Sequence, residues 1–241
     1  MSNSSHPDPD LSCGQMLEFT MRACRAAKSS AQALFNGIKG EQGESFAAVK
    51  QYEEELDTFD FQINEGVTTL ITRGVSEKEA RELLSCLKFI IELERIGDLL
   101  LNVTNRFKAA GNRLESRDAN DLLTMCSIVA GMVDSVGQAF DRRDVARALT
   151  VLSDDAELDR LRNLMFVRHV ENPEHQPVRE SYHLLFMSQM LERAGDHAKN
   201  LAEEVCHLVT GRSVRHILRE YDKPTEQMFV ERWRKTLSQR P

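Results

Sequence analysis

The sequence predicts an all-α protein built as two tandem three-helix bundles from an internal duplication, followed by a short C-terminal helix. Three observations carry this prediction. The segment FIIELERIGDLLLNV (Phe89–Val103) recurs as FMSQMLERAGDHAKNLAEEV (Phe186–Val205), both holding Glu-Arg-x-Gly-Asp, with the two glutamates 98 residues apart. Self-similarity at a fixed long period is the mark of a repeated structural unit. Apolar residues return at i, i+3 and i+4 along most of the chain, the period of one helix face. Leu, Ala, Glu and Arg, all good helix formers, dominate many stretches.

Residues 1–10, rich in Ser, Pro and Asp, are expected to be a disordered tail. A first helix runs from Leu11 to about Asn36, with Leu17, Met21, Cys24, Ala27, Ala31 and Leu34 as its inner stripe. Gly37, Gly40 and Gly43 then punctuate the chain. A second helix, about Glu44 to Thr72, keeps helical period through Phe46, Val49, Tyr52, Leu56, Phe59, Ile63, Val67 and Leu70. Its polar side holds Glu53, Glu54, Glu55, Asp57 and Asp60, which alone reads as solvated surface. Gly74 ends it, and Ser76 with Glu79 forms a capping box for the third helix, Glu77 to about Ala109.

Gly111 breaks the third helix, so the first bundle is assigned to residues 11–112 and the second to 113–212. A fourth helix opens near Ser116 and reaches Phe140, burying Leu122, Met125, Val129, Met132, Val136 and Phe140. The stretch Asp141–Leu161 parallels Gly43–Phe59, which sets Asp57 opposite Asp155 and, with a one-residue slip, Asp60 opposite Asp159. Pro173 and Pro177 mark the next connection. The sixth helix, about Val178 to Val209, carries the second motif and stops at Gly211. The extension 213–241 is locally basic, and Pro224 fits the first turn of a short helix bearing Met228, Phe229 and Trp233.

Bulk properties exclude several classes. A net charge of −7 and a pI near 5.6 argue against general nucleic-acid binding. Five cysteines, an odd number with no C-x-x-C pair, argue against a disulfide framework or a zinc ribbon. The polar N-terminus lacks the apolar core of a secretory signal, and no run approaches about 18 consecutive apolar residues. These features predict a reduced, intracellular chain.

The duplicated motif carries an energetic oddity. Glu94 and Asp98 share a helix face, as do Glu192 and Asp196, and like charges at that spacing destabilise a helix by about 0.2–0.5 kcal/mol. Gly97 and Gly195 each cost roughly 1 kcal/mol against alanine in a helix interior. Paying twice implies compensation: a cation against the carboxylates, and a close helix–helix or ligand approach at the glycine. Arg95 and Arg193 offer an alternative charge balance without metal.

ELERIGD (Glu92–Asp98), LERAGD (Leu191–Asp196) and the stretch HLVTGRSVRH (His207–His216) resemble the signatures of the PhoU family of phosphate-uptake regulators. The resemblance covers about residues 11–216. It implies two similar three-helix bundles, a cytoplasmic regulatory role and, in some members, metal clusters on the acidic faces. It also implies the phosphate transporter's ATPase and its sensor kinase as partners, and a homodimer. The expected metal-ligating residues are Asp57, Asp60, Glu94 and Asp98 in one half, and Asp155, Asp159, Glu192 and Asp196 in the other. His197 is a further candidate. Family members show acidic pairs on the middle helix; here Asp60 is followed four residues later by Asn64, a weaker ligand. All-oxygen donors suit hard divalent cations, while iron and zinc also accept carboxylates, so metal identity stays open.

A di-iron carboxylate oxidase would need Glu-x-x-His on two different helices. Glu180/His183 and Glu204/His207 have the spacing but lie about 36 Å apart on one predicted helix. No P-loop or nucleophile-elbow pattern is present, so a non-enzymatic regulator is expected. The alternatives are a metal-binding or storage protein without a signalling partner, and an accessory domain for a sodium–phosphate carrier.

Overall fold

A computed structural model describes residues 11–111, 114–171 and 178–211. The expected N-terminal tail, the boundary at 112–113, the prolines at 173 and 177, and the C-terminal helix lie outside the described residues. Six helices follow in order: α1 Cys13–Lys39, α2 Gln42–Arg73, α3 Glu77–Ala110, α4 Ser116–Arg142, α5 Val145–Phe166 and α6 Arg179–Thr210. A π-helical turn, Val167–Glu171, extends α5. Among the described residues there is no strand.

The starts and stops follow local chemistry. Ser12 Oγ accepts from the Gln15 amide and caps α1. Ser76 and Glu79 exchange hydrogen bonds in a capping box at α3. Gly74, Gly111 and Gly211 close α2, α3 and α6. One expectation needs correction. Gly37 does not end α1, which runs on to Lys39; the ring of Phe46 packs where a side chain at 37 would stand. The fifth helix starts at Val145: Arg143 takes left-handed backbone (φ 55°) to end α4, and Asp144 caps α5 by accepting from the Arg147 amide at 3.0 Å.

Helices α1, α2 and α3 pack on one another, as do α4, α5 and α6. The two triplets join through α1 against α4 and α3 against α6. These four form a central square, with α2 and α5 as outer flanks. The α3–α6 pairing is antiparallel: Glu204 receives Ser85 Oγ (2.7 Å) and Lys88 Nζ (2.8 Å) near one end, and the Arg106 guanidinium lies 4.3 Å from the Phe186 ring centre near the other. The α1–α4 pairing is also antiparallel, with Lys28–Asp134 at 3.0 Å and Gly137 against Cys24.

The predicted stripes form most of the core, with Leu17, Met21 and Tyr52 only half-buried against it. Phe89, Leu93, Ile96, Leu100, Val103 and Phe107 of α3 are buried, as are all six residues expected from α4. Phe89 and Phe140 bring α3 and α4 together across the centre, ring centroids 4.2 Å apart. The cysteines are free thiols, and four of the five are buried; burial pushes Cys24 up to about 12, so it behaves as a small hydrophobe. By length and composition α4 is apolar enough to cross a membrane, although it holds no run of about 18 consecutive apolar residues. Its interspersed Ser, Thr, Gly and Asp residues break any continuous apolar run, and its apolar stripe is buried against its neighbours.

Candidate metal centre

Each motif glycine is the point where a motif helix meets its flanking helix. A Cβ on Gly97 would stand 2.6 Å from Leu56 Cδ1 and 3.9 Å from the Glu53 Cα. A Cβ on Gly195 would overlap Leu158 Cδ1. The glycines therefore answer to close helix approach, one of the two compensations their cost implied.

This shared contact fixes the register of the duplication. Leu56 corresponds to Leu158, so Glu53 corresponds to Asp155, Asp57 to Asp159, and Asp60 to Arg162. The pairing of Asp57 with Asp155 and Asp60 with Asp159 is thus off by one helical turn. A four-residue slip returns side chains to nearly the same face, so a repeated i, i+4 acidic pattern conceals it. In the corrected register both flanking helices carry an acidic pair, Glu53-x-x-x-Asp57 and Asp155-x-x-x-Asp159. Asn64 is no longer the missing member of a pair; its Nδ2 donates to Asp60 Oδ1 at 2.9 Å.

The α2–α3 groove gathers the four expected acids and one more. Burial pushes the Glu94 carboxyl up, and the carboxylates of Asp98, Asp57 and Asp60 push the same way, against Arg95. Burial likewise raises Glu53, helped by Asp57 and Asp98. Five carboxylates therefore share one field. Arg95, whose Nε lies 3.6 Å from Glu94 Oε2, is mostly exposed. Glu53 was missed as a candidate because it sits within a run of three glutamates; its spacing to Asp57, equal to that of Glu94 to Asp98, was the available signal.

The α5–α6 groove gathers Asp155, Asp159, Glu192 and Asp196. Burial, then Asp196 and Asp159, push Glu192 up to about 7 against the pull of Arg162. Burial, then Asp155 and Asp159, raise Asp196, opposed by Lys199 and His197. Here two cationic side chains enter the groove. Lys199 Nζ is 2.6 Å from Asp155 Oδ2. Arg162 Nη2 bridges Asp159 Oδ1 at 3.4 Å and Glu192 Oε1 at 3.6 Å.

As the side chains stand, no group of three His, Cys, Asp or Glu residues among those described converges to hold a metal ion. The α2–α3 donor set fits a hard cation in kind: carboxylates on two facing helices, one turn apart on each. The α5–α6 set fits less well, because two basic groups already face its acids. His197 is engaged elsewhere: its Nδ1 lies 2.6 Å from Glu92 Oε2, which also accepts from Asn200 Nδ2 at 3.0 Å, tying α6 to α3. Glu180/His183 and Glu204/His207 do lie on one helix, α6.

A second polar cluster had no obvious sequence signal. Asp118, at the start of α4 and buried, accepts from Arg168 Nη1 at 2.5 Å and is 3.1 Å from His169 Nε2. His169 Nδ1 meets Ser181 Oγ at 3.1 Å, and that hydroxyl also accepts from the Val178 amide. The cluster fastens the π-helical turn to α4 and α6.

The sequence matches one family model, described as the PhoU domain, at residues 20–107 and again at 122–205. The chain is similar to the phosphate-specific transport system accessory protein PhoU homolog of Pseudomonas aeruginosa, 33% identical over 176 residues that cover 70% of this chain and 72% of that one. It is similar to the protein so described in Xylella fastidiosa (strain 9a5c), 30% identical over 161 residues covering 66% and 68%. The crystal structure of PhoU from Pseudomonas aeruginosa shares the fold, with TM-score 0.74 at 24% identity over 83% of this chain and 97% of that one.

Proposed function

This chain belongs to the PhoU family, and from that premise we propose that it regulates phosphate uptake without turning over a substrate. It acts in the cytoplasm by docking to a phosphate transporter's ATPase, its sensor kinase, or both, and reaches the membrane only through them. A homodimer is compatible with this role. The observation that carries the reading is the double match to the PhoU domain, one copy per triplet of helices. The relatives' description as accessory proteins of a phosphate-specific transport system supports the same role.

A divalent, iron or zinc cation is proposed on the acidic ridges. Asp57, Asp60, Glu94 and Asp98, with Glu53 beside them, are the donors on one ridge; Asp155, Asp159, Glu192 and Asp196 are their counterparts on the other. The cation supplies charge neutralisation, removing the repulsion that these acids exert on one another. This chain's own residues set the donor spacing, through the glycine contacts that hold α3 on α2 and α6 on α5.

Affinity capture from cells grown in limiting and in excess phosphate tests the docking role. Recovery of the transporter's ATPase or the kinase, in amounts that change with phosphate, is the expected result. Recovery of neither under both conditions overturns it.

A further inference from the structure

We propose that the C-terminal segment of this chain, residues 224–237, folds back onto the apolar end of the α5–α6 groove and covers it. Two features call for a partner, and the regulatory role above uses neither.

The first is a surface. Val178, Tyr182 and Phe186 are spaced i, i+4, i+8 at the start of α6, and each is at least half exposed. The face of α5 that turns toward α6 is marked by Arg162, which reaches Glu192. Further along that face stand Phe166 and Val170, exposed at 43% and 42%, with Val167 beside them at 49%. The groove is acidic around Asp159 and Glu192 and becomes apolar here. Six half-exposed side chains present on the order of 600 Å², the upper end for the largest apolar patch of a monomer, and patches of that size mark interaction sites. The bundle itself does not require them. In the corrected register Asn64, Glu65 and Lys88 take the places of Phe166, Val167 and Phe186 in the other half.

The second feature is the extension. Phe229, Trp233 and Leu237 repeat the i, i+4, i+8 spacing, after Pro224, a residue suited to open a helix. Phe229 and Trp233 each bring about 150–250 Å² for burial, which suits a patch of this size. The lengths agree. Gly211 closes α6, and Tyr182 lies about 44 Å back along that helix at 1.5 Å per residue. The chain from Gly211 to Phe229 spans up to about 60 Å when extended.

The charges agree as well. Residues 212–241 hold eight Lys and Arg against four Asp and Glu, and Arg212, Arg215, Arg219 and Lys223 precede the apolar stripe. A segment returning from Gly211 to the patch lays these four along the groove, where four carboxylates face only Arg162 and Lys199. The tether favours this chain's own segment over a second copy, because it holds the segment at a high effective concentration.

Trp233 is the one tryptophan in the sequence, so its emission reports on the segment alone. The full chain is measured over a dilution series. The expected result is blue-shifted emission, protected from acrylamide and independent of dilution. In Tyr182→Glu/Phe186→Glu it should move to the wavelength of the urea-unfolded chain. In Phe61→Glu, which alters an aromatic 68% exposed on α2, it should not move. Circular dichroism checks folding, and Tyr182→Glu alone replaces the double variant if that one loses helix. Emission at the unfolded wavelength in folded wild type overturns the proposal, whether or not an added partner protein restores protection. Protected emission that the folded patch variants leave unchanged also overturns it. Protection lost on dilution, together with a fall from dimer to monomer mass, assigns the segment to a second copy and overturns the contact within one chain.

Discussion

Replacing Glu192 by glutamine should stabilise the protein at neutral and alkaline pH. The carboxyl is pushed from an ordinary 4.5 to about 7, first by burial and then by Asp196 and Asp159. Its folded-state value lies above its unfolded value, so the folded state holds the proton more tightly. The resulting stabilisation is complete below pH 4.5 and is lost as pH rises through 7. At roughly 1.4 kcal/mol per pH unit the shift corresponds to an upper bound of about 3 kcal/mol. Solvent screening at a partly exposed groove reduces this to about 1–2 kcal/mol. The amide never acquires the charge, so Glu192→Gln should exceed wild type by that amount at pH 8 and nearly match it at pH 5. Urea unfolding in chelator, with both proteins at both pH values, measures the difference. A variant less stable than wild type at pH 8 would mean that the Arg162 bridge outweighs burial and repulsion. An equal gap at both pH values would mean that ionisation is not involved. Either result refutes the argument.

Other perturbations follow from the same geometry. Gly97→Ala gains about 1 kcal/mol of helix propensity but drives a Cβ into fully buried Leu56 at 2.6 Å, at an overpacking cost of about 1–3 kcal/mol. The expected net effect is a modest loss in the urea midpoint, relieved when Leu56→Ala accompanies it. Ser76→Ala removes the capping box of α3 and should cost about 1 kcal/mol by thermal unfolding. Asp118→Ala leaves Arg168 and His169 without their shared buried acceptor and should cost about 3–5 kcal/mol, with hydrogen-exchange protection lost first near the α5–α6 connection.

The helices were legible because their signals are local. Heptad-like stripes, the Ser76–Glu79 box and Gly74, Gly111 and Gly211 placed α2, α3 and the end of α6 to within about two residues. The Glu-Arg-x-Gly-Asp repeats revealed the duplication because α3 and α6 have kept nearly the same residues at the motif. The flanking helices have not: only an i, i+4 acidic rhythm survives in α2 and α5, and that rhythm looks alike at successive turns. It took the Leu56 and Leu158 contacts to settle the alignment and bring Glu53 into view. Asp118, Arg168 and His169 escaped notice for a different reason. Asp118 stands 50 residues before the adjacent Arg168 and His169, and nothing in the two neighbourhoods announces that they meet.

The pairing of α1 with α4 and of α3 with α6 sets each helix against its own duplicate, the pattern a two-fold symmetric dimer would show. Joining the two halves in one chain removes the need for that symmetry. A dimer of identical subunits must accept every substitution on both sides of its axis, whereas a tethered pair can change one side while its high effective concentration keeps the interface closed. An arginine on one flank and an aspartate on the other is the kind of difference such tethering permits. The fold thereby frees one half to specialise while the other holds it in place.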